Sequence, residues 1–119
     1  MDADRKVRQE RKKELLRELA EIQIEELRDE GVFIGTPHYG IFERAASALG
    51  RQLSRETQRR SVCEVRAECA ETVACPTCGT RCQVETKRRQ VTSIDGPVML
   101  DEATARCGAC RRSFFPSAS

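Results

Sequence analysis

Tryptophan is absent from this chain, and with four Phe and one Tyr the aromatic residues amount to 4% of 119 positions. Five rings cannot anchor one large core, and a small domain buries too little of its surface to be held by apolar burial alone. A large enzyme domain is thereby excluded. Histidine occurs once, as His38 between Pro37 and Tyr39, a setting that reads as structural rather than as a ligand or catalytic base. Long hydrophobic runs are missing too. Val32-Phe33-Ile34 is among the longest, far short of the roughly 18 apolar residues that a membrane-spanning helix needs. Residues 1–13 are dominated by charge and contain no apolar segment of the kind a secretory signal requires. The expected compartment is the cytoplasm, where thiols stay reduced.

What the chain has instead is charge, at 34% of residues, and seven cysteines. An odd number of cysteines argues against a closed disulfide framework, and in a reducing compartment their clustering points to metal or redox chemistry. The net charge of +2 is unevenly spread. Residues 1–30 hold 8 basic and 10 acidic side chains, and residues 31–60 hold 5 and 2. Residues 61–74 hold 1 and 3, and residues 75–119 hold 7 and 4. Four thiolates and one divalent ion in the last segment lower its net charge of +3 to about +1.

Residues 5–30 contain good helix formers and neither Gly nor Pro, so they are expected to be helical. Leu15, Leu19 and Ile22 repeat at helical spacing, with Glu26 next in the series and Leu16 and Leu27 flanking it. Gly31 is placed to terminate the helix. This stripe can pack on the rest of the chain, on a second copy or on a protein partner; Arg5 to Lys13 could instead approach nucleic acid, although acidic residues interrupt that run. Residues 31–40 form a loop in which Thr36 and Pro37 suit an N-cap and a first helical position. A second helix is expected from about Gly40 to Arg60. Ile41, Phe42, Ala45, Ala46, Leu49 and Leu53 form its apolar side, and Arg51, Arg55, Arg59 and Arg60 a basic one that is either solvated or phosphate-facing. Residues 61–74 continue as helix or frayed linker. Cys63 and Cys69, six residues apart, fit neither one helical face nor a metal knuckle.

The one strong motif follows. Cys75-Pro-Thr-Cys78-Gly79 and Cys107-Gly-Ala-Cys110 are two Cys-x-x-Cys pairs separated by 28 residues. Zinc takes four tetrahedral thiolates, and a two-residue spacer lets a tight turn aim two sulfurs at one ion. Gly79 can adopt the left-handed conformation that turns the chain after the second ligand. Each pair supplies half a site, and the intervening segment is built to join the halves. Strand-like alternation runs from Cys82 to Arg88 and again from Val91 to Ile94; Asp95-Gly96-Pro97 makes a turn, and Val98 to Leu100 returns. Ala103 to Arg106 leads into the second pair, and Ser113 to Phe115 form a last short strand. The expectation is an α+β chain. A helical region at 1–74 precedes a small antiparallel four-cysteine zinc ribbon at 75–116 and a tail at 117–119. One zinc ion is held by Cys75, Cys78, Cys107 and Cys110. Iron in the same tetrahedron and a redox dithiol are the alternatives, and Cys82 suits a strand better than a ligand position. With all four positions taken by protein, no site remains for water or substrate. The chain is expected not to be an enzyme.

Lys87, Arg88, Arg89, Arg111 and Arg112, with Arg81 and Arg106 nearby, could form a basic rim beside the metal. Aromatic interleaving is lacking, so phosphate contact is better supported than base stacking. Leu49-Gly50-Arg51-Gln52-Leu53, Cys75-Pro-Thr-Cys78-Gly79, Thr92-Ser93-Ile94-Asp95-Gly96-Pro97-Val98 and Cys107-Gly-Ala-Cys110-Arg111-Arg112-Ser113-Phe114-Phe115-Pro116 together make residues 42–116 resemble the N-terminal region of bacterial insertion-sequence transposases, in particular the Kra group. The resemblance implies a four-cysteine ribbon that binds duplex DNA ahead of an RNase H-like catalytic domain. In the family the chain continues past the Phe-Phe-Pro. Here only Ser117-Ala118-Ser119 follow, so no catalytic acidic residue carries over, and the expectation is a truncated or frameshifted N-terminal piece or a separately encoded DNA-binding part. The competing expectation is a zinc-ribbon adaptor that binds a protein partner through its N-terminal helices.

Overall fold

A computed structural model describes residues 2–116; the expected tail at 117–119 lies outside the described residues. Two helices precede four strands, giving an α+β chain with a helical N-terminal half. The elements are α1 (Asp2–Asp29), α2 (Tyr39–Glu68), β1 (Thr72–Ala74), β2 (Arg81–Ser93), β3 (Gly96–Cys107) and β4 (Arg112–Phe114). All neighbouring strands are antiparallel, in the order β1-β2-β3-β4. The chain divides into two compact units, Met1–Glu43 and Arg44–Ser119. This division falls inside α2.

In the first unit, α1 begins three residues earlier than expected, with Asp2 and Asp4 in the first turn, where carboxylates complement the helix dipole. Its end is a Schellman motif. The Val32 amide donates to the Leu27 carbonyl and the Gly31 amide to the Arg28 carbonyl, both at 3.0 Å, with Gly31 at φ +80°. Leu27 is buried at this junction. Phe33 stacks on Phe42 at 5.7 Å, and the Arg28 guanidinium lies 5.3 Å from the Phe33 ring centre. Thr36 does not cap α2, because the helix starts later: the Ile41 amide donates to the His38 carbonyl at 3.0 Å.

In the second unit, α2 runs on to Glu68, so that of the helix or frayed linker expected at 61–74 the first eight residues are helix. Helix α2 meets the hairpin through polar bonds along its length. Ser54 donates to the Asp95 carboxylate at 2.6 Å and Arg55 to the Asp95 carbonyl at 2.9 Å. Gln58 donates to Ser93 Oγ at 3.3 Å, and Arg66 to Thr86 Oγ1 at 2.7 Å. Helix α2 thus tracks the hairpin from its tip toward its base. Ala46 and Leu53, expected on the apolar side, are exposed.

Strand β2 is one continuous strand and not two. Its pairing with β3 holds one register from Val84↔Ala105 to Ser93↔Gly96, so the turn is only Ile94-Asp95 and Gly96 already belongs to β3. Ser93 fixes the turn: its hydroxyl donates to the Gly96 carbonyl at 2.7 Å and accepts from the Asp95 amide at 3.2 Å. Strand β1 was not anticipated; it is three residues long and pairs Val73 with Cys82.

The hairpin buries different faces at its two ends. Side chains alternate across a sheet, so Val98 and Leu100 share one face with Val91 and Ser93, the residues near the tip where α2 bonds. Cys82 and Val84 share the other face with Ala105 and Cys107 near the base. Cys75, Cys82, Ala105 and Cys107 form the buried cluster there, packed against by Val73, Cys110 and Phe114. This small core holds the candidate site.

Candidate metal centre

Two similar turns carry the four cysteines. In the first, the Gly79 amide donates to the Cys75 carbonyl at 2.9 Å, and Gly79 sits at φ +77°. In the second, the Arg111 amide donates to the Cys107 carbonyl at 2.7 Å, and Arg111 sits at φ +58°. Each turn thus closes four residues after its first cysteine and leaves through a left-handed residue. Gly79 takes that conformation without cost, as its sequence position suggested. Arg111 has a Cβ and takes it at roughly 1–2 kcal/mol. Among the described residues it is the only non-glycine with positive φ.

The sulfurs converge. Sγ of Cys75 lies 3.9 Å from that of Cys110, and Sγ of Cys78 lies 3.5 Å from that of Cys107. All four lie within 4.8 Å of one another. These distances exceed the roughly 2.05 Å of a disulfide. They bracket the edge of about 3.8 Å that a tetrahedron with metal–sulfur bonds of about 2.3 Å requires. The donor set therefore fits one tetrahedral, thiophilic divalent ion. The Cys110 amide also donates to Cys107 Sγ at 3.4 Å, the kind of backbone donor that steadies a thiolate.

The sulfurs differ in acidity for local reasons. The Thr80 hydroxyl and amide hydrogen-bond Cys78 and push its thiol down to about 6. Amides of Cys78 and Thr77 lower Cys75. Hydrogen bonding with Cys78 and Cys75, together with burial, pushes Cys110 up to about 12. Four sulfurs packed this closely cannot all ionise without a compensating cation.

The other cysteines stand apart. Cys82 is buried in the same cluster, yet it is not among the four converging sulfurs. Its Sγ donates to the Thr80 carbonyl at 3.3 Å, and burial pushes its thiol up. Cys63 and Cys69 are half-buried, and neither belongs to the cluster.

The five cations expected on the rim are not one surface. Lys87 and Arg89 project from one face of β2 and Arg88 from the other, as alternation demands. Arg88 pairs with Asp101 at 3.3 Å. Arg89 pairs with Glu102 at 2.7 Å and lies 5.7 Å from the Phe115 ring centre. Lys87, Arg111 and Arg112 are exposed and make no ion pair among the described residues. Arg106, on the same face as Lys87, is likewise exposed and unpaired among them. The basic side of α2 is also spent internally. Arg55 bonds the turn, and Arg59 and Arg60 both bond Glu56.

No described helix is long and apolar enough to cross a membrane. No protein-family model, curated protein or solved structure matches the chain.

Proposed function

We propose that residues 72–116 form a structural zinc ribbon and that the chain is a non-catalytic module binding duplex DNA through phosphate contacts. Zinc is the reading of the metal because four thiolates in a closed tetrahedron suit it and leave no ligand position open for chemistry. Cys75, Cys78, Cys107 and Cys110 would hold the ion, whose contribution is to clamp the two turns together.

The observation that carries the nucleic-acid reading is Arg111. The fold needs a left-handed residue there, and the equivalent turn uses Gly79. An arginine is poor for conformation at that place, which favours a role for its charge. Arg112 follows it, and Lys87 and Arg106 are further cations of the ribbon with no ion pair among the described residues. The resemblance of residues 42–116 to the N-terminal region of insertion-sequence transposases supports duplex DNA as the ligand. Phosphates are the target because the exposed groups are cations without aromatic platforms.

Fluorescence-anisotropy titration of zinc-loaded protein on duplex DNA tests this. With up to four phosphate contacts, log affinity falls against log salt with a slope of roughly −3.5. Reversing Lys87, Arg111 and Arg112 to Glu weakens binding to all sequences alike. Reversing Arg88 and Arg89 matters less, since Asp101 and Glu102 already neutralise them. Binding that is undetectable at low salt, or indifferent to the first set of reversals, refutes the reading. A second reading, an adaptor that uses the ribbon only as a clip, is favoured by one observation: Leu15 and Ile22 of α1 are about half exposed, at 50% and 52%.

A further inference from the structure

Helix α1 is 28 residues long, and Leu27 is its one buried residue. Along its length the apolar side chains nearest one another at helical spacing are Leu15, Leu19 and Ile22, with Leu15 and Ile22 exposed and Leu19 half-buried. A surface helix does not normally leave two such residues, either side of a half-buried third, open to water without a partner. The charges around them say which partner fits. Residues 2–15 hold six basic and four acidic side chains, and residues 16–29 hold two basic and five acidic. The helix is therefore polarised, and against its own dipole: its basic half is N-terminal and its acidic half C-terminal. Among the described residues the helix has one ion pair, Arg17 to Glu14 at 3.1 Å. Arg8, Arg11, Lys12, Glu25, Glu26 and Asp29 have none among them.

We infer that α1 is a self-association surface that pairs antiparallel with α1 of a second copy. In the register that sets Leu15 across from Ile22 of the second copy, Leu19 lies beside the two-fold axis and packs near its own counterpart. The same register sets Arg8 across from Asp29, Arg11 across from Glu26 and Lys12 across from Glu25. Every one of these three pairs is of opposite sign, and the two-fold symmetry doubles them. The overlap runs from Arg8 to Asp29, about 33 Å of helix at 1.5 Å per residue. A parallel pairing fails on the same charges, because it sets basic half on basic half and acidic on acidic. Antiparallel pairing also aligns the two helix dipoles head to tail. With only three apolar residues per helix in the seam, the dimer is weak and salt-sensitive.

Sedimentation equilibrium of the full-length, zinc-loaded chain tests the inference through charge swaps. One variant carries Arg8→Glu, Arg11→Glu and Lys12→Glu; another carries Glu25→Lys, Glu26→Lys and Asp29→Lys. Both sets improve the match of charge to helix dipole, so neither melts α1, and circular dichroism checks this. Each set alone weakens self-association tenfold or more. The chain with all six changes recovers it to within a few-fold of wild type. That recovered chain does not co-assemble with wild type, because in the antiparallel register each mixed pair sets like charges together. Leu15→Ala with Ile22→Ala keeps the helix, alanine being the best helix former, and also weakens association at least tenfold. Three results overturn the inference. One is a wild-type chain that stays monomeric at every accessible concentration. Another is self-association indifferent to the swaps. The third is preferential mixing of the six-fold variant with wild type, the signature of a parallel pair.

Discussion

Among single residues, the four converging cysteines and Arg111 make the sharpest claims. On the proposed zinc site, serine at Cys75 or Cys110 removes one of four thiolate ligands, and zinc content measured by a chromophoric chelator falls from one ion per chain toward zero. Serine at Cys63 or Cys69 leaves it at one; a loss there refutes the assignment of ligands. Arg111→Gly separates structure from recognition. It relieves a left-handed arginine while increasing the unfolded chain's freedom, so the two effects roughly cancel. Thermal stability and zinc content stay near wild type, while affinity for duplex DNA drops. Equal loss of stability and affinity would mean that the arginine serves only the turn. Glu56 supplies a pH-dependent case. Hydrogen bonds from Arg59 and Arg60 hold its carboxyl down to about 2 from an ordinary 4.5. A depressed carboxyl stabilises above its ordinary value, and this is lost as pH falls from about 4.5 toward 2. The group is exposed, so the effect is small. A Glu56→Gln variant should show slightly lower thermal stability than wild type at about pH 7, and the two should converge as the pH approaches about 2.

At the scale of elements, the tip of the β2–β3 hairpin is the joint between sheet and helix. Gly96 has φ +111°, and a Cβ there would lie 3.3 Å from Nη1 of Arg55. Gly96→Ala is therefore strained in backbone and crowded in side chain, and it lowers unfolding free energy by about 1–3 kcal/mol in chemical denaturation. Asp95→Ala removes the acceptor of the Ser54 hydroxyl and costs about 1 kcal/mol. A variant of either kind with wild-type stability would show that α2 is not held by the tip. Helices α1 and α2, the hairpin and both cysteine turns were legible in the sequence, because helix formers, alternation and Cys-x-x-Cys spacing act locally. Their limits were less so. Residues 61–74 were open between helix and frayed linker; α2 takes 61–68 as helix, and Arg66 there bonds Thr86 of the hairpin, a polar contact that leaves no apolar periodicity. Strand β1 was missed because three residues are too few to show alternation.

For the whole molecule, the proposed zinc would decide whether the C-terminal half is a fold. Its base is a core of four buried residues, three of them cysteines, and structural zinc in comparable motifs supplies on the order of 10–16 kcal/mol of apparent binding free energy. Removing the ion with a strong chelator should collapse the ribbon and abolish DNA binding together. Helix α1, which terminates in its own Schellman motif, should keep its helical signal. Hydrogen exchange resolves the two: fast exchange in β2 and β3 after chelation, with α1 unchanged, is the expected pattern. Persistent protection of β2 and β3 without metal would make the ion incidental.

By itself, the sequence determined the α+β class, the helix-terminating Gly31 and the two cysteine turns, all properties of residues a few positions apart. Tertiary structure decided the rest. Cys78 and Cys107 lie 29 positions apart in the chain, and one unbroken hairpin register brings their sulfurs to 3.5 Å. The same register sets Asp101 opposite Arg88 and brings Glu102 to Arg89, removing two cations from a rim that looked continuous in the chain. It leaves Lys87 and Arg106 exposed on one face and Arg111 exposed at a turn. Spacing along the chain tells which residues can meet, but charge neutralisation is a matter of a few ångströms across strands, and only the pairing of the strands sets those.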